Sequence, residues 1–219
     1  MKYLKVFGLA AVAAVVAMAF IGASSASATA LCSVNEAKCP TEAQLGAGTV
    51  IEAHLKTGTK AVLETSLATV ECSKSVTKGK TTTGAAETVK GVIEELSFEE
   101  CQTKTGETKC TVGSALNLPY NGSIVALGSG NGKLTVTKGT GGGNPGATVT
   151  CLGVIECTFR TPSAVLKVFG GNPAVAKAEA ITLSEHSVGL KCPASETTAK
   201  WTAEYEVLKP NPLFISELP

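Results

Sequence analysis

The chain has 219 residues, with 19 lysine and arginine residues against 18 acidic ones, so its formal net charge at pH 7 is +1. A surface this close to neutral argues against binding nucleic acid or an anionic membrane through charge. Every acidic residue is a glutamate, and Arg160 is the only arginine. This composition excludes aspartate-rich calcium loops and aspartic dyads, as well as extensive recognition of phosphate by guanidinium groups.

The first thirty residues have the three regions of a secretory signal peptide. Two lysines precede an apolar run over residues 6–21, and a small, polar segment follows it. An Ala-x-Ala site allows cleavage after Ala28 or after Ala30, and a retained membrane anchor is the alternative. We therefore expect export, removal of residues 1–30 and a secreted protein, with the possibility of attachment to the cell envelope.

All eight cysteines follow this segment, which in an exported chain indicates four disulfides. Metal binding is not expected, because no pair has the Cys-x-x-Cys spacing that zinc sites favour. Connectivity does not follow from sequence, but the turn-like residues between near neighbours favour short bridges. The predicted pairs are Cys32 with Cys39, Cys101 with Cys110, Cys151 with Cys157, and Cys72 with Cys192.

Short segments rich in β-branched residues recur along the chain, with glycine, asparagine and proline between them. Such spacing is typical of a β-sandwich or barrel. We predict an all-β, two-layer antiparallel sandwich of the Greek-key or jelly-roll kind, stapled by disulfides. The predicted strands lie at residues 49–55, 61–65, 69–77, 88–98, 110–112, 123–127, 133–138, 147–151, 155–160, 164–169, 174–183, 188–192 and 200–208.

The segment over residues 172–181 fits two kinds of structure. Asn172 and Pro173 resemble the start of a helix, and the alanines that follow have high helix propensity. Alternation of larger side chains with alanine fits a crowded strand equally well. We interpret the segment as a strand and retain the helix as the alternative.

The last predicted strand has the clearest period of two. Trp201, Ala203, Tyr205 and Val207 fall on one face, and polar residues fall on the other. The two aromatic residues are therefore predicted to be packing anchors. Tyr120, in a turn between Leu118 and Gly122, is the best candidate for an exposed ring that contacts a ligand.

Catalytic chemistry has little support. His54 and His186 are the only histidines, and neither lies near a Gly-x-Ser-x-Gly or His-Glu-x-x-His motif. The doubled glutamates at 94–95 and 99–100 suggest the carboxylate pair of a glycosidase. Neighbours along a strand point to opposite faces, however, so we interpret them as solvated charges.

Four segments carry a resemblance: residues 170–174, 191–193, 201–207 and 210–216. In these segments the chain resembles a group of uncharacterised exported proteins from high-GC Gram-positive soil bacteria. The resemblance extends over most of the region after the signal peptide. It implies an extracellular β-domain, and no activity or site residue comes with it.

Together these observations predict one domain over residues 31–219 that is exported, non-enzymatic and structural, adhesive or ligand-binding. No catalytic residue, cofactor or metal is expected. The ligand is unknown; a cell-wall or extracellular glycan or a protein would fit, whereas nucleic acid and stable membrane insertion after signal cleavage are not expected. The alternatives are a secreted glycan-active hydrolase that uses paired glutamates, and a carbohydrate-binding module.

Overall fold

The computed structural model describes residues 28–187 and 191–219, and within them the only helix is a 3₁₀ turn at Thr41–Ala43. This confirms the all-β prediction. Most of the predicted signal peptide and the first part of the predicted strand at 188–192 lie outside the described residues. The strands are β1 (Thr29–Cys32), β2 (Gln44–Leu45), β3 (Val50–Leu55), β4 (Ala61–Glu64), β5 (Thr69–Thr81), β6 (Val89–Thr103), β7 (Cys110–Leu116), β8 (Tyr120–Gly128), β9 (Asn131–Lys138), β10 (Gly146–Cys151), β11 (Ile155–Arg160), β12 (Ser163–Phe169), β13 (Ala174–Leu183), β14 (Glu185–His186), β15 (Ala199–Lys209) and β16 (Phe214–Glu217).

Eight strands form a closed antiparallel barrel. Around the ring the order is β13, β12, β9, β8, β6, β5, β3 and β15, and β15 then pairs with β13. β4 continues the line of β3 after a turn and pairs with the same two neighbours, β5 and β15. Each of these strands has hydrogen-bonded neighbours on both sides, so the ring has no free edge.

Closure of this ring corrects the predicted two-layer sandwich. The closing pair joins Ala174 to Val207 and Leu183 to Ala199. Sandwiches and barrels both bury one face of each strand, so their alternation of apolar and polar residues is the same. The two architectures differ in whether β13 also pairs with β15, and the alternation of apolar and polar residues does not show which strands pair.

The strand prediction at residues 174–183 is confirmed, because β13 has the same bounds and no helix forms there. β15 confirms the prediction for the closing strand. Its residues Ala203, Tyr205 and Val207 are buried, while Lys200 and Thr202 on the other face are exposed. Local alternation was therefore a reliable guide to these two strands.

One end of the barrel is covered by a small sheet, here called the floor, in which β1 lies between β16 and β2. It sits against the turns at that end, because the Ile215 amide donates to the Gly130 carbonyl and Leu213 pairs with Gly171. The floor approaches so closely that a side chain at Gly132 would lie 2.8 Å from Ile215. β1 starts at Thr29, two residues before the predicted domain boundary.

The opposite end is covered by a four-stranded sheet, here called the cover, with the order β14, β11, β10, β7. Its buried residues Val149 and Phe159 pack against residues at the ends of barrel strands, including Val70 and Leu183. The floor and the cover therefore enclose the barrel interior from its two ends.

All eight cysteines are paired, as predicted, but three of the four predicted pairings are wrong. Cys72 stands directly opposite Cys101 on paired strands, and Cys110 stands opposite Cys151. Strand register thus brings the sulfur atoms together, and distance along the sequence does not decide the partner. The observed bridges are Cys32–Cys39, which was predicted correctly, and Cys72–Cys101, Cys110–Cys151 and Cys157–Cys192.

Candidate functional site

Several strands line the barrel interior with residues too small to fill it. Ala53 on β3, Gly122 on β8 and Ala176 on β13 all border the space inside. An eight-stranded barrel is just wide enough for ordinary side chains to fill it or for one small ligand to be held. Here the small residues leave a cavity of about 200 Å³.

The cavity extends between the two covered ends of the barrel. Leu31 of the floor and the nearby Leu213 border it at one end, and Val112 and Ala147 of the cover border it at the other. Leucine, isoleucine, valine and aromatic side chains from the barrel strands form most of its wall. This cavity is the candidate functional site.

Keeping such a cavity is expensive for a protein of this size. At about 24 cal/mol per Å³, an empty space of 200 Å³ costs about 5 kcal/mol relative to a filled interior. The free energy of unfolding of a whole domain is typically only about 5–15 kcal/mol. Larger side chains at a few alanine positions would recover much of this cost, so stability alone does not account for the cavity.

The aromatic residues of β15 lie inside the barrel. Tyr205 is only 2 % exposed, Trp201 is partly buried, and both line the cavity. Their ring centroids are 6.4 Å apart, with a tilt of 54°. This arrangement agrees with a packing role and does not form a flat aromatic platform on the outer surface, which is what a sugar-binding site would use.

Tyr120 was predicted to be an exposed ring, and this is wrong. It opens β8, is 2 % exposed, and lines the cavity from inside the barrel. Its hydroxyl donates to the backbone carbonyl of Leu116, so the polar end of the side chain is directed to the protein. Burial raises the pKa of the Tyr120 hydroxyl. Contact between Tyr120 and a ligand remains a prediction, now from the interior.

The second tyrosine that lines the cavity, Tyr205, has its hydroxyl paired with a buried serine. The Ser75 Oγ and the Tyr205 hydroxyl are 2.8 Å apart, and Ser75 also donates to the Ser97 carbonyl at 2.6 Å. Burial raises the pKa of Tyr205 to about 12, and the hydrogen bond with Ser75 offsets only part of this effect. Because the polar ends of both tyrosines are engaged by protein groups, they leave little polar surface for a ligand.

This shift predicts a loss of stability at alkaline pH. Tyr205 must ionise more readily in the unfolded chain, where its pKa is near 10, than in the folded protein. Its contribution is complete below pH 10 and is lost as the pH rises from 10 to 12. Two pKa units correspond to about 3 kcal/mol. Urea unfolding between pH 9 and 12 should show this decrease in the free energy of unfolding, and the decrease should be smaller in Tyr205→Phe. If the free energy of unfolding of the variant fell with pH as steeply as that of the original protein, the raised pKa of Tyr205 would be contradicted.

The two histidines lie away from the cavity. On the outer face of β3, His54 Nε2 is 3.3 Å from Glu52 Oε1, and Lys209 is 3.2 Å from the same carboxylate. The hydrogen bonds from Lys209 and then His54 lower the pKa of Glu52. His186 stands opposite Phe159 in the cover. No serine hydroxyl in the described parts of the chain hydrogen-bonds to either imidazole, so no catalytic triad is assembled there.

Glu94 and Glu95 are exposed on the outer face of β6, as the interpretation of solvated charges required. Lys80 Nζ lies 2.7 Å from Glu94, and Lys78 Nζ lies 3.2 Å from Glu95. The expected alternation between faces fails because Glu94 is an extra residue at a β-bulge opposite Gly79. Both carboxylates consequently point outward.

The second glutamate pair is exposed as well, and Glu100 lies 2.5 Å from Lys74. None of the residues that border the cavity carries a carboxylate. The described residues therefore give the glycan hydrolase alternative no acid–base pair at the candidate site.

Sequence reasoning missed the small residues of the interior. The alanines at 174, 176 and 178 fit the predicted crowded strand, but a run of small residues on the inward face also indicates an interior that is left partly empty. Recognising it requires knowing which face is inward and that the sheet closes. Alternation alone gives neither.

Metal sites, membrane-spanning helices and similarity to known proteins were also assessed. Residues 28–187 and 191–219 contain no group of three or more histidine, cysteine or acidic side chains arranged to hold a metal ion. In the same ranges no helix has the length and hydropathy needed to span a membrane. Comparison with protein-family models, with curated proteins and with solved structures found no match to this chain.

Proposed function

We propose that the chain is an exported, non-enzymatic binding protein that holds one small, uncharged apolar molecule inside its barrel. The observation that carries this proposal is the cavity of about 200 Å³ with its wall of hydrocarbon side chains. A structural or adhesive role would make no use of this space, whose retention opposes stability. The ligand-binding reading is therefore preferred among the roles that the sequence allowed.

The size of the cavity limits the ligand. An engineered cavity of about 150 Å³ lined by apolar side chains stays dry and binds benzene. On that scale the present cavity of about 200 Å³ accommodates about eight non-hydrogen atoms. A charged group would lose its water without finding a counter-charge, because the hydroxyls of Tyr120 and Tyr205 are already engaged and the buried Nε1 of Trp201, which has no hydrogen-bond partner, offers only a single neutral donor.

Export is supported by two independent features. The first thirty residues have the pattern of a signal peptide, and the four disulfides are typical of proteins in an oxidising compartment. A binding protein outside the cell would encounter small volatile or sparingly soluble molecules in the medium. The resemblance to exported soil-bacterial proteins fits this location.

Binding of ethylbenzene, which has eight non-hydrogen atoms, tests the proposal directly. We expect a dissociation constant on the order of 0.1–1 mM, since roughly 0.6 kcal/mol per non-hydrogen atom gives about −5 kcal/mol. Titration calorimetry and the rise in melting temperature with ligand concentration both measure it.

Benzoate is the matched control, because it has a ring of the same size with a carboxylate. We expect no binding of benzoate at concentrations that saturate the site with ethylbenzene. Soluble glucan and chitin oligosaccharides complete the set. Binding of an oligosaccharide together with no effect of ethylbenzene would reject the proposal and favour the carbohydrate-binding alternative.

A further inference from the structure

The first strand of the fold is buried along its whole length. Thr29 and Leu31 are 0 % exposed, and Ala30 is 1 % exposed. β1 pairs along all four of its residues with β16, from Thr29 opposite Glu217 to Cys32 opposite Phe214. Residues 29 and 30 are thus structural parts of the floor, although they fall within the region predicted to be removed.

Thr29 makes more hydrogen bonds than its position near the signal segment would suggest. Its amide donates to the Ala86 carbonyl at 2.6 Å, and the Ala86 amide donates back at 3.0 Å. Its hydroxyl Oγ1 accepts from the Ala126 amide at 3.0 Å and lies 3.4 Å from the Glu87 carbonyl. Thr29 therefore joins the floor to the connection between β5 and β6 and to the barrel strand β8.

The two possible cleavage positions have different consequences for this strand. Cleavage after Ala30 would remove Thr29 and leave the amides of Ala86 and Ala126, both in half-buried residues, without their partners, which is unfavourable. It would also create an ammonium group on Leu31, a fully buried residue that borders the apolar cavity. Burying a charge beside the apolar wall of the cavity is unfavourable.

Cleavage after Ala28 keeps most of these contacts and gives up only one, in which the Leu218 amide donates to the Ala28 carbonyl at 2.8 Å. All hydrogen bonds of the Thr29 side chain and carbonyl are kept, and the new ammonium group can donate to the Ala86 carbonyl. Ala28 is partly exposed, so the chain reaches the surface one residue before Thr29, and the buried nitrogen of Thr29 lies 2.6 Å from the Ala86 carbonyl that pairs with it.

We infer that the chain is processed between Ala28 and Thr29, and that processing precedes the docking of β1 into the floor. This inference rests on the proposed export. In the reaction, a signal peptidase directs water to the Ala28 carbonyl carbon, and the bond to the Thr29 nitrogen breaks. Ala28 leaves as a carboxylate on the leader, and Thr29 keeps an ammonium group. Because Thr29 is fully buried after docking, the peptidase requires the undocked, extended chain.

The test is secretion of the full chain from a Gram-positive host, with intact mass and N-terminal sequencing of the protein in the medium. We expect a first residue of Thr29. A first residue of Leu31, or any other start, overturns the inference. Protein retained in the cells with its leader intact would contradict the proposed export together with the inference, whereas secreted protein with a different first residue contradicts the inference alone.

An Ala26→Trp variant sharpens the result. It places a large side chain at the third residue before the Ala28–Thr29 bond, and it leaves the Ala28-Thr29-Ala30 cleavage site intact. Both cleavage positions lie after residue 26, so the mature protein does not contain the substituted residue. We expect the variant to lose the Thr29 product and to accumulate precursor or a chain that starts at Leu31 with a lower melting temperature. An unchanged mature mass in the variant would show that the Ala28 site is not the one used.

Discussion

Replacing Ala176 by phenylalanine will abolish ligand binding and leave the barrel folded. Ala176 is paired with Tyr205 on β15 and with Val168 on β12, and it borders the cavity from the barrel wall. A benzene ring added at this position occupies the space proposed for the ligand. We expect the dissociation constant for ethylbenzene to rise at least roughly a hundredfold, a loss of about 3 kcal/mol.

The free energy of unfolding of this variant should stay within about 2 kcal/mol of the original protein, because filling empty space is favourable and overpacking is unfavourable. Urea unfolding measures this and separates a filled site from an unfolded one. Ala176→Leu fills less of the cavity and should weaken binding to an intermediate extent.

Val165→Phe is the matched control. Val165 is 47 % exposed on β12, so the same aromatic ring is added outside the barrel. We expect ethylbenzene to bind this variant as it binds the original protein. Unchanged binding by Ala176→Phe, or equal loss in both variants, would locate the ligand outside the cavity.

Removing the Cys110–Cys151 bridge should cost more stability than any single surface change. The two cysteines are 41 residues apart in the sequence, and closing such a loop is worth about 4 kcal/mol in the chain-entropy treatment. The bridge also holds β7 to β10 at the cover. Urea unfolding of Cys110→Ala/Cys151→Ala should therefore show a loss of about 4 kcal/mol.

The Cys32–Cys39 bridge provides the comparison, because its cysteines are only 7 residues apart and the same treatment gives about 2 kcal/mol. Thiol titration of the unfolded Cys110→Ala/Cys151→Ala variant tests the connectivity itself. The observed pairing leaves no free thiol. The pairing expected from sequence spacing would leave Cys101 and Cys157 free, so two reactive thiols per chain would contradict the structure.

The sequence was sufficient to predict features that depend on neighbouring residues. The strands β11 and β13 have the predicted bounds, and the closing strand buries the predicted face. These features follow from the period of two, which each strand carries within itself. The number of cysteines and the signal-like segment likewise predicted that all eight cysteines form disulfides, although three of the four pairings were wrong.

Features that depend on strand partners could not be predicted in the same way. The bridge between Cys72 and Cys101 follows from the register of β5 against β6, and the ring closes through the pairing of β13 with β15. Tyr120 illustrates the consequence for a functional prediction. Its turn-like neighbours suggested exposure, but closure of the barrel places its ring inside. The cavity is a property of the whole ring and appears in no single strand.

The floor joins the two sequence extremes of the fold, since Thr29 pairs with Glu217. Contacts between residues so far apart in sequence form late, because the intervening chain must be ordered first. In a chain that crosses a membrane from its N-terminus, β1 emerges first and can pair with β16 only after the rest of the chain has followed. An apolar ligand of the kind proposed can therefore enter the barrel during folding, while that end is still uncovered and before β16 pairs with β1.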